Sequence, residues 1–350
     1  MKYQTPLTNQ IIEIGNASQA DQIILAVESS CDETAAAVIR NGREILSNVV
    51  ASQIDTHKKY GGVVPEVAAR MHLESIVPVI EEATEKAGID IKKDITAFAA
   101  TVGPGLVGAL LVGLNAAKTM SVVHDKPFIG VNHLNGHVCA NYLESEFSPP
   151  FICLLVSGGH TQLIKVSSYE EQELLGETLD DAVGEAYDKV ARLLGLPYPG
   201  GPYLDKLAHE GDKKRFKFTE AKVSEYDFSF SGLKSAVLRV CNQFSPKDLP
   251  KADVAASFQE TVSEILLKKT LKAANNNGIK KIALAGGVAA NSEIRRKFFD
   301  LQNYQSSQKL EVHAPEFKYC TDNAAMVASA AYFQSNTMQN LDVEVFSRVK

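Results

Sequence analysis

Apolar positions fall into short runs separated by glycine, proline or carboxylate turns, and the period of those runs changes in a regular order along the chain. Residues 23–28 (IILAVE) and 34–39 (TAAAVI) are joined by Ser29-Ser30-Cys31-Asp32-Glu33, which predicts a hairpin with carboxylates at its tip. Over 65–87, Val67, Met71, Ile76, Val79, Ile80 and Ala83 recur at helical spacing, with Pro65 at the start and Gly88 just past the end. A strand over 95–102, a turn at Gly103-Pro104-Gly105, a helix over 106–123, a strand over 128–131 and a helix around 133–142 complete the first half. The second half repeats the plan. Residues 151–156 (FICLLV) and 160–166 (HTQLIKV) flank Ser157-Gly158-Gly159 as another hairpin. The run 282–285 (IALA), Gly286-Gly287 and a helix from Asn291 then parallel 98–100, the Gly103 turn and the helix after it. A helix over 180–189 puts Asp181, Glu185 and Asp188 on one stripe, and the charged, aromatic stretch 211–230 reads as a surface excursion.

A chain of 350 residues, 45% of them hydrophobic, suits two domains better than one. The repeat places the lobes at 23–148 and 149–335, between an N-terminal extension (1–22) and a tail (336–350), with the last helix free to pack back on the first lobe. Duplicated α/β lobes that open on glycine or carboxylate hairpins are how actin-like ATPases and sugar kinases hold nucleotide. By that analogy the fold is α/β, ribonuclease H-like, with a nucleotide cleft between the lobes. The net charge of -6 supplies no global basic field. A nucleic acid would need local patches, of which His57-Lys58-Lys59, Lys213-Lys214-Arg215-Phe216-Lys217 and Arg295-Arg296-Lys297 are candidates, although charge runs are more often solvated faces. Five scattered cysteines without a C-x-x-C pair fit free thiols in a reducing compartment. The first residues lack the features of a signal or transit peptide, and the most apolar stretch, 102–117, is broken by glycines and Asn115. A cytoplasmic chain without a membrane segment is expected.

Three constellations carry candidate chemistry. On a helix, His133 and His137 stand four apart with β-carbons roughly 5–6 Å from each other, so both imidazoles can reach one metal ion. Leu134 occupies the place where a zinc peptidase of the H-E-x-x-H type needs its general base, which disfavours that activity. Asp322, with Thr321 as a plausible N-cap, either completes the metal site or stabilises a helix terminus. The glycine turns at Ser157-Gly158-Gly159, Pro199-Gly200-Gly201-Pro202 and Gly286-Gly287 can bring backbone N–H groups together on a phosphate. Neither a P-loop nor a G-x-G-x-x-G fingerprint is present. The acidic helix is either a solvated face or a source of ribose-binding carboxylates.

These residues resemble one family. Lys118-Thr119, His124-Asp125, Pro127, Ile129, His133 and Gly136-His137-Val138 look like the signature once labelled a glycoprotease pattern, which belongs to the TsaD (Gcp/YgjD) family. Further matches run in order: Glu28-Ser29-Ser30-Cys31-Asp32-Glu33-Thr34, Gly61-Gly62-Val63-Val64-Pro65-Glu66, Val102-Gly103-Pro104-Gly105, Ser157-Gly158-Gly159-His160-Thr161, Phe230-Ser231-Gly232-Leu233-Lys234, Gly286-Gly287-Val288-Ala289-Ala290-Asn291 and Cys320-Thr321-Asp322-Asn323. Ala186-Tyr187-Asp188-Lys189 and Pro199-Gly200-Gly201-Pro202 look bacterial.

The resemblance implies that His133, His137 and Asp322 bind one divalent metal, Fe(II) or Zn(II). It also implies that Leu155, Val156, Ser157, Gly158, Gly159, Asp188, Gly201, Asp205 and Asn291 bind the adenylate substrate threonylcarbamoyl-AMP, at a site that ATP or AMP can also occupy. The expected reaction is transfer of the threonylcarbamoyl group to an adenosine beside the anticodon of tRNAs that read codons beginning with A. The expected partners are tRNA, a TsaB-like paralogue and a TsaE-like ATPase, with self-association left open. Asp32 or Glu33, at the first hairpin tip, is the candidate base for the amine proton, with a turn-forming role as the alternative. An actin-like small-molecule kinase would share the lobes and turns but has no need of the histidine pair. A silent nucleotide-binding scaffold would have little use for the pair and Asp322 together.

Overall fold

A computed structural model describes residues 21–303, 310–334 and 341–348. Of the N-terminal extension only Asp21 and Gln22 fall within the described residues, and of the tail only 341–348. The chain divides into two compact units, Met1–Phe147 with Thr321–Lys350, and Ser148–Cys320.

The first unit begins with β1 (Ile23–Glu28), β2 (Glu33–Arg40), β3 (Glu44–Ser52), α1 (Ile54–His57) and α2 (Pro65–Ala87). It continues through β4 (Ala97–Gly103), α3 (Val107–His124), β5 (Phe128–Asn132) and α4 (His133–Cys139). The second unit holds β6 (Phe151–Val156), β7 (Thr161–Val166), β8 (Gln172–Glu177), α5 (Val183–Leu193), α6 (Gly200–Ala208), α7 (Ser231–Cys241) and α8 (Lys251–Asn276). After β9 (Lys281–Ala285), α9 (Ser292–Asp300), β10 (Glu311–His313) and α10 (Phe317–Cys320), α11 (Ala324–Phe333) belongs again to the first unit.

The two sheets have the same plan. The first runs β3-β2-β1-β4-β5 and the second β8-β7-β6-β9-β10. In each, three antiparallel strands are extended by two parallel ones. Ile24 through Glu28 are buried without a break, as are all six residues of β6. Successive side chains on a strand point to opposite faces, so such strands are covered on both. In the first unit α2, α3 and α11 supply that cover. The strands β3 and β8 escape the sequence pattern because they have polar or exposed positions and no unbroken apolar run.

Helix α2 begins with Pro65 at its first position and ends on Gly88 in the left-handed region (φ 64°), as its punctuation predicts. Helix α3 is long and apolar enough to cross a membrane by length and composition. Here it lies on β4 and buries Ala109, Leu110, Gly113, Leu114 and Ala117. The 341–348 segment packs over the same region: Leu341, Val343, Val345 and Phe346 meet Ala100, Val102 and Leu114, and the Phe346 amide donates to the Val102 carbonyl at 2.9 Å.

Two sequence expectations need correction and a third is refined. The stretch 211–230 is irregular and mostly at the surface, but Phe218, Phe228 and Phe230 anchor it in the core of the second unit. The acidic helix starts only at Val183, leaving Asp180 and Asp181 ahead of it. Helix α11 starts at Ala324 and is capped by the Asn323 side chain, which accepts from the Met326 amide, so Thr321 is not its cap and Asp322 is not in its first turn.

Candidate functional site

Both sheets direct their chemistry to the carboxyl ends of their parallel strands, where open α/β sheets offer concave edges. In the first unit β1 ends at Glu28, β4 carries Thr101 near its end, and β5 runs into His133. Helix α4 forms there because Asn132 caps it, accepting from the amides of Leu134 (2.9 Å) and Asn135 (3.4 Å). The cap presents His133 and His137 on one face, with ring centroids 4.7 Å apart and an interplanar angle of 77°. Asp322 Oδ1 lies 3.5 Å from His133 Nε2 and 3.2 Å from His137 Nε2.

These side chains offer ligand atoms that all lie within 4.8 Å of one another. His137 is only 1% exposed, and among the described residues neither of its ring nitrogens makes a hydrogen bond. A buried polar atom left this way costs about 1–3 kcal/mol, which a bound cation would relieve. Two imidazoles and a carboxylate are the donor set of a site for zinc or iron with open positions. The residues present fit a divalent metal.

Sequence reasoning missed the group behind His133. Glu28 is fully buried and its Oε2 lies 3.2 Å from His133 Nδ1. Its Oε1 accepts from the Ser30 amide at 2.5 Å, and Oε2 accepts from the Thr101 hydroxyl at 2.6 Å. Burial alone would raise the Glu28 carboxyl, but the charge and hydrogen bond of His133 hold it below the usual range. Burial would lower His133, whereas Asp322 and Glu28 push it up to about 9.

The first hairpin tip belongs to the same neighbourhood. The Ser30 hydroxyl lies 3.2 Å from His133 Nδ1. Burial first, then the charges of Asp322 and Asp32, push the Glu33 carboxyl up to about 10. Buried His72 pins the tip from α2: Nδ1 sits 2.7 Å from the Thr34 hydroxyl and Nε2 3.0 Å from the Cys31 carbonyl.

In the second unit the Gly286 turn and Gly184 close on the end of β6, whereas Gly200 packs against Ala191 and Asp188 of α5. Gly286 has φ +86°, and a β-carbon there would come within 2.4 Å of the Val156 carbonyl oxygen. A β-carbon on Gly184 would come within 2.6 Å of the Ser157 carbonyl oxygen, and the Gly184 amide donates to that oxygen at 3.2 Å. Leu155 and Val156 are buried strand residues, whereas Gly158, Gly159 and Gly201 have open space where a side chain would stand. Asp188 accepts from the Gly200 amide at 2.8 Å; burial raises its pKa although the Gly200 and Gly201 amides oppose the rise.

Asp205 and Asn291 are joined through Gln259, another residue that sequence reasoning missed. Its amide nitrogen donates to Asp205 Oδ1 at 2.9 Å, and its oxygen accepts from Asn291 Nδ2 at 3.0 Å. Asp205 also receives the Ser292 amide and hydroxyl, at 3.1 and 2.8 Å. Of the acidic stripe, Asp181 and Glu185 pair with Lys189.

The basic patches fare less well. His57 is buried and hydrogen bonded to Gln53, so it adds nothing to Lys58 and Lys59. Lys213 pairs with Glu260 and Arg215 with Asp253. Arg295 is spent on the carbonyls of Ala289 and Pro315, Arg296 on Glu293 and Asp300, and Lys297 on Glu260 and Glu264. An apolar groove of about 630 Å³ lies elsewhere, between α2 and α3, with Leu73, Val77 and Leu111 exposed along it.

Taken together, fold and site define a ribonuclease H-like α/β protein with a His-His-Asp centre in one unit and glycine turns in the other. Solved structures agree on the fold: HypF from T. kodakarensis aligns with TM-score 0.64 at 17% identity, covering 90% of this chain and 48% of that one. A full-length HypF aligns with TM-score 0.61 at 15% identity and is likewise about twice as long, with 47% of it covered.

A sequence model of the TsaD family, tRNA N6-adenosine threonylcarbamoyltransferase, matches residues 44–329. A protein of that name from Clostridium kluyveri is 55% identical over 320 residues, covering 90% of this chain and 93% of its own length. Another from Microcystis aeruginosa is 52% identical over 337 residues, covering 93% of this chain and 96% of its own. The chain belongs to this family of tRNA-modifying transferases.

Proposed function

We propose that this chain transfers the threonylcarbamoyl group from threonylcarbamoyl-AMP to the exocyclic amine of the adenosine on the 3′ side of the anticodon, in tRNAs that read codons beginning with A. The observation that carries the reading is the approach of His133 and His137 to one oxygen of Asp322 in a chain of this family. In the reaction the amine nitrogen bonds to the carbamoyl carbon, and the bond from that carbon to the phosphate oxygen breaks. AMP leaves with the electron pair, and the amine proton passes to a carboxylate. Asp32 and Glu33 at the hairpin tip are the candidates for that base.

One divalent ion, Fe(II) or Zn(II), held by His133, His137 and Asp322, supplies Lewis-acid charge for the carbamoyl oxygen and the leaving phosphate when bound. The adenylate is assigned to Leu155, Val156, Ser157, Gly158, Gly159, Asp188, Gly201, Asp205 and Asn291. The open space at Gly158, Gly159 and Gly201 supports close approach of a phosphate to the backbone. ATP or AMP would fit the same turns.

The setting is cytoplasmic, with tRNA, a TsaB-like paralogue and a TsaE-like ATPase as partners. The exposed apolar groove of α2 and α3 supports a protein partner, since surface patches of that kind mark contacts. The test is to incubate the purified chain with threonylcarbamoyl-AMP, unmodified tRNA and the partner proteins and to resolve the nucleosides by mass spectrometry. One modified adenosine per AMP released is expected; no modified adenosine from metal-loaded protein with intact partners would refute the reading.

A further inference from the structure

We infer that Glu28 is a positioning residue for the metal centre: it accepts the proton of His133 Nδ1 and thereby keeps Nε2 free as a ligand atom. The inference rests on the metal reading above and adds to it a residue outside the ligand set.

An imidazole binds a metal through one nitrogen only if the other carries the proton, and the partner of that second nitrogen decides which is which. His133 Nε2 faces Asp322 at 3.5 Å, and Nδ1 faces Glu28 Oε2 at 3.2 Å. The Ser30 hydroxyl, also 3.2 Å from Nδ1, could either accept from that nitrogen or donate to it, so it cannot choose the tautomer alone. An ionised carboxylate can only accept, and Glu28 is fixed in that role: the Ser30 amide, an obligate donor, occupies Oε1 at 2.5 Å, and the Thr101 hydroxyl occupies Oε2 at 2.6 Å. The carboxylate, at the end of β1, and its two donors, from the hairpin tip and β4, all lie at the carboxyl edge of the sheet and are buried.

Glutamine at this position cannot reproduce the arrangement. Turned one way its amide group meets the Ser30 N–H, donor against donor. Turned the other way it presents a donor to His133 Nδ1 and loses the acceptor that Thr101 uses.

Metal-free wild type and Glu28→Gln are titrated with zinc against a chromogenic chelator, and the melting temperature of each metal-free protein is recorded. Zinc affinity is expected to fall about 10- to 100-fold, with the metal-free melting temperatures within about 3 °C of each other. Equal zinc affinity in the two proteins overturns the inference while leaving the metal reading intact; wild type that binds no zinc overturns both. If the variant does not fold, ¹⁵N spectra of zinc-loaded wild type decide alone. A protonated Nδ1 and a metal-shifted Nε2 on His133 support the inference, and an unprotonated Nδ1 overturns it.

Discussion

A carboxylate beside two imidazoles completes a donor set that the histidines alone do not supply. Asp322 Oδ1 is the atom both rings approach, and Asp322 stands outside α11, so its removal leaves the Asn323 cap of that helix in place. Asp322→Ala is therefore expected to lose stoichiometric zinc or iron in elemental analysis while the far-ultraviolet circular dichroism stays that of wild type. Metal retained at one equivalent would move the site elsewhere. Gln259 offers a second residue-scale test. It is 3% exposed and links Asp205 to Asn291, so Gln259→Leu leaves both without this partner at a cost of about 1–2 kcal/mol. AMP affinity should fall about tenfold by calorimetry with metal content unchanged, and an unchanged affinity would show that the network does not shape the nucleotide residues. Legibility at this scale follows sequence distance. The His133 and His137 pair was readable because its two members share one helical turn. Glu28 was not, because it closes an apolar strand and its partners Thr101 and His133 lie 73 and 105 positions away.

Among the elements, the hairpins and the parallel strands β4, β5 and β9 were readable because buried strands leave unbroken apolar runs and their turns are glycine or carboxylate, whereas the short β10, with one buried residue, was not. The start of α7 was not readable, because its cap comes from another part of the chain. Asp180 accepts from the hydroxyls of Ser229 and Ser231 and from the amides of Phe230 and Ser231, taking up donors that the first turn of α7 leaves unpaired. Burial would raise the Asp180 carboxyl, but those four hydrogen bonds outweigh it and hold the group at about 2. A carboxyl lowered in the folded state stabilises the fold above its ordinary value near 3.8 and stops doing so as pH falls through the folded one. Asp180→Ala should destabilise the second unit by about 1 kcal/mol at neutral pH, a figure kept small because the side chain is exposed. The difference from wild type should shrink between about pH 4 and pH 2. Urea titrations at pH 7 and pH 2.5 measure it, and a gap that persists at the lower pH would assign the effect to packing instead.

For the molecule as a whole, charge decides how much of a tRNA the chain can hold by itself. Affinity for nucleic acid grows with the number of cations free to neutralise phosphates, and each such contact adds to the salt dependence. The net charge is -6, and the patches that sequence suggested are in large part already engaged. Lys213 and Arg215 face carboxylates, Arg296 and Lys297 do likewise, and Arg295 is occupied by backbone carbonyls. A phosphate would have to displace these partners, which cancels most of the gain. The chain alone should therefore bind tRNA only weakly at 150 mM salt, with a dissociation constant on the order of 10 µM or above and a shallow dependence on salt. Adding the partner proteins should tighten binding at least tenfold and steepen that dependence, because the free cations would then come from them. Nanomolar binding by the chain alone, with a steep salt slope, would place the phosphate contacts on this protein and require its ion pairs to open.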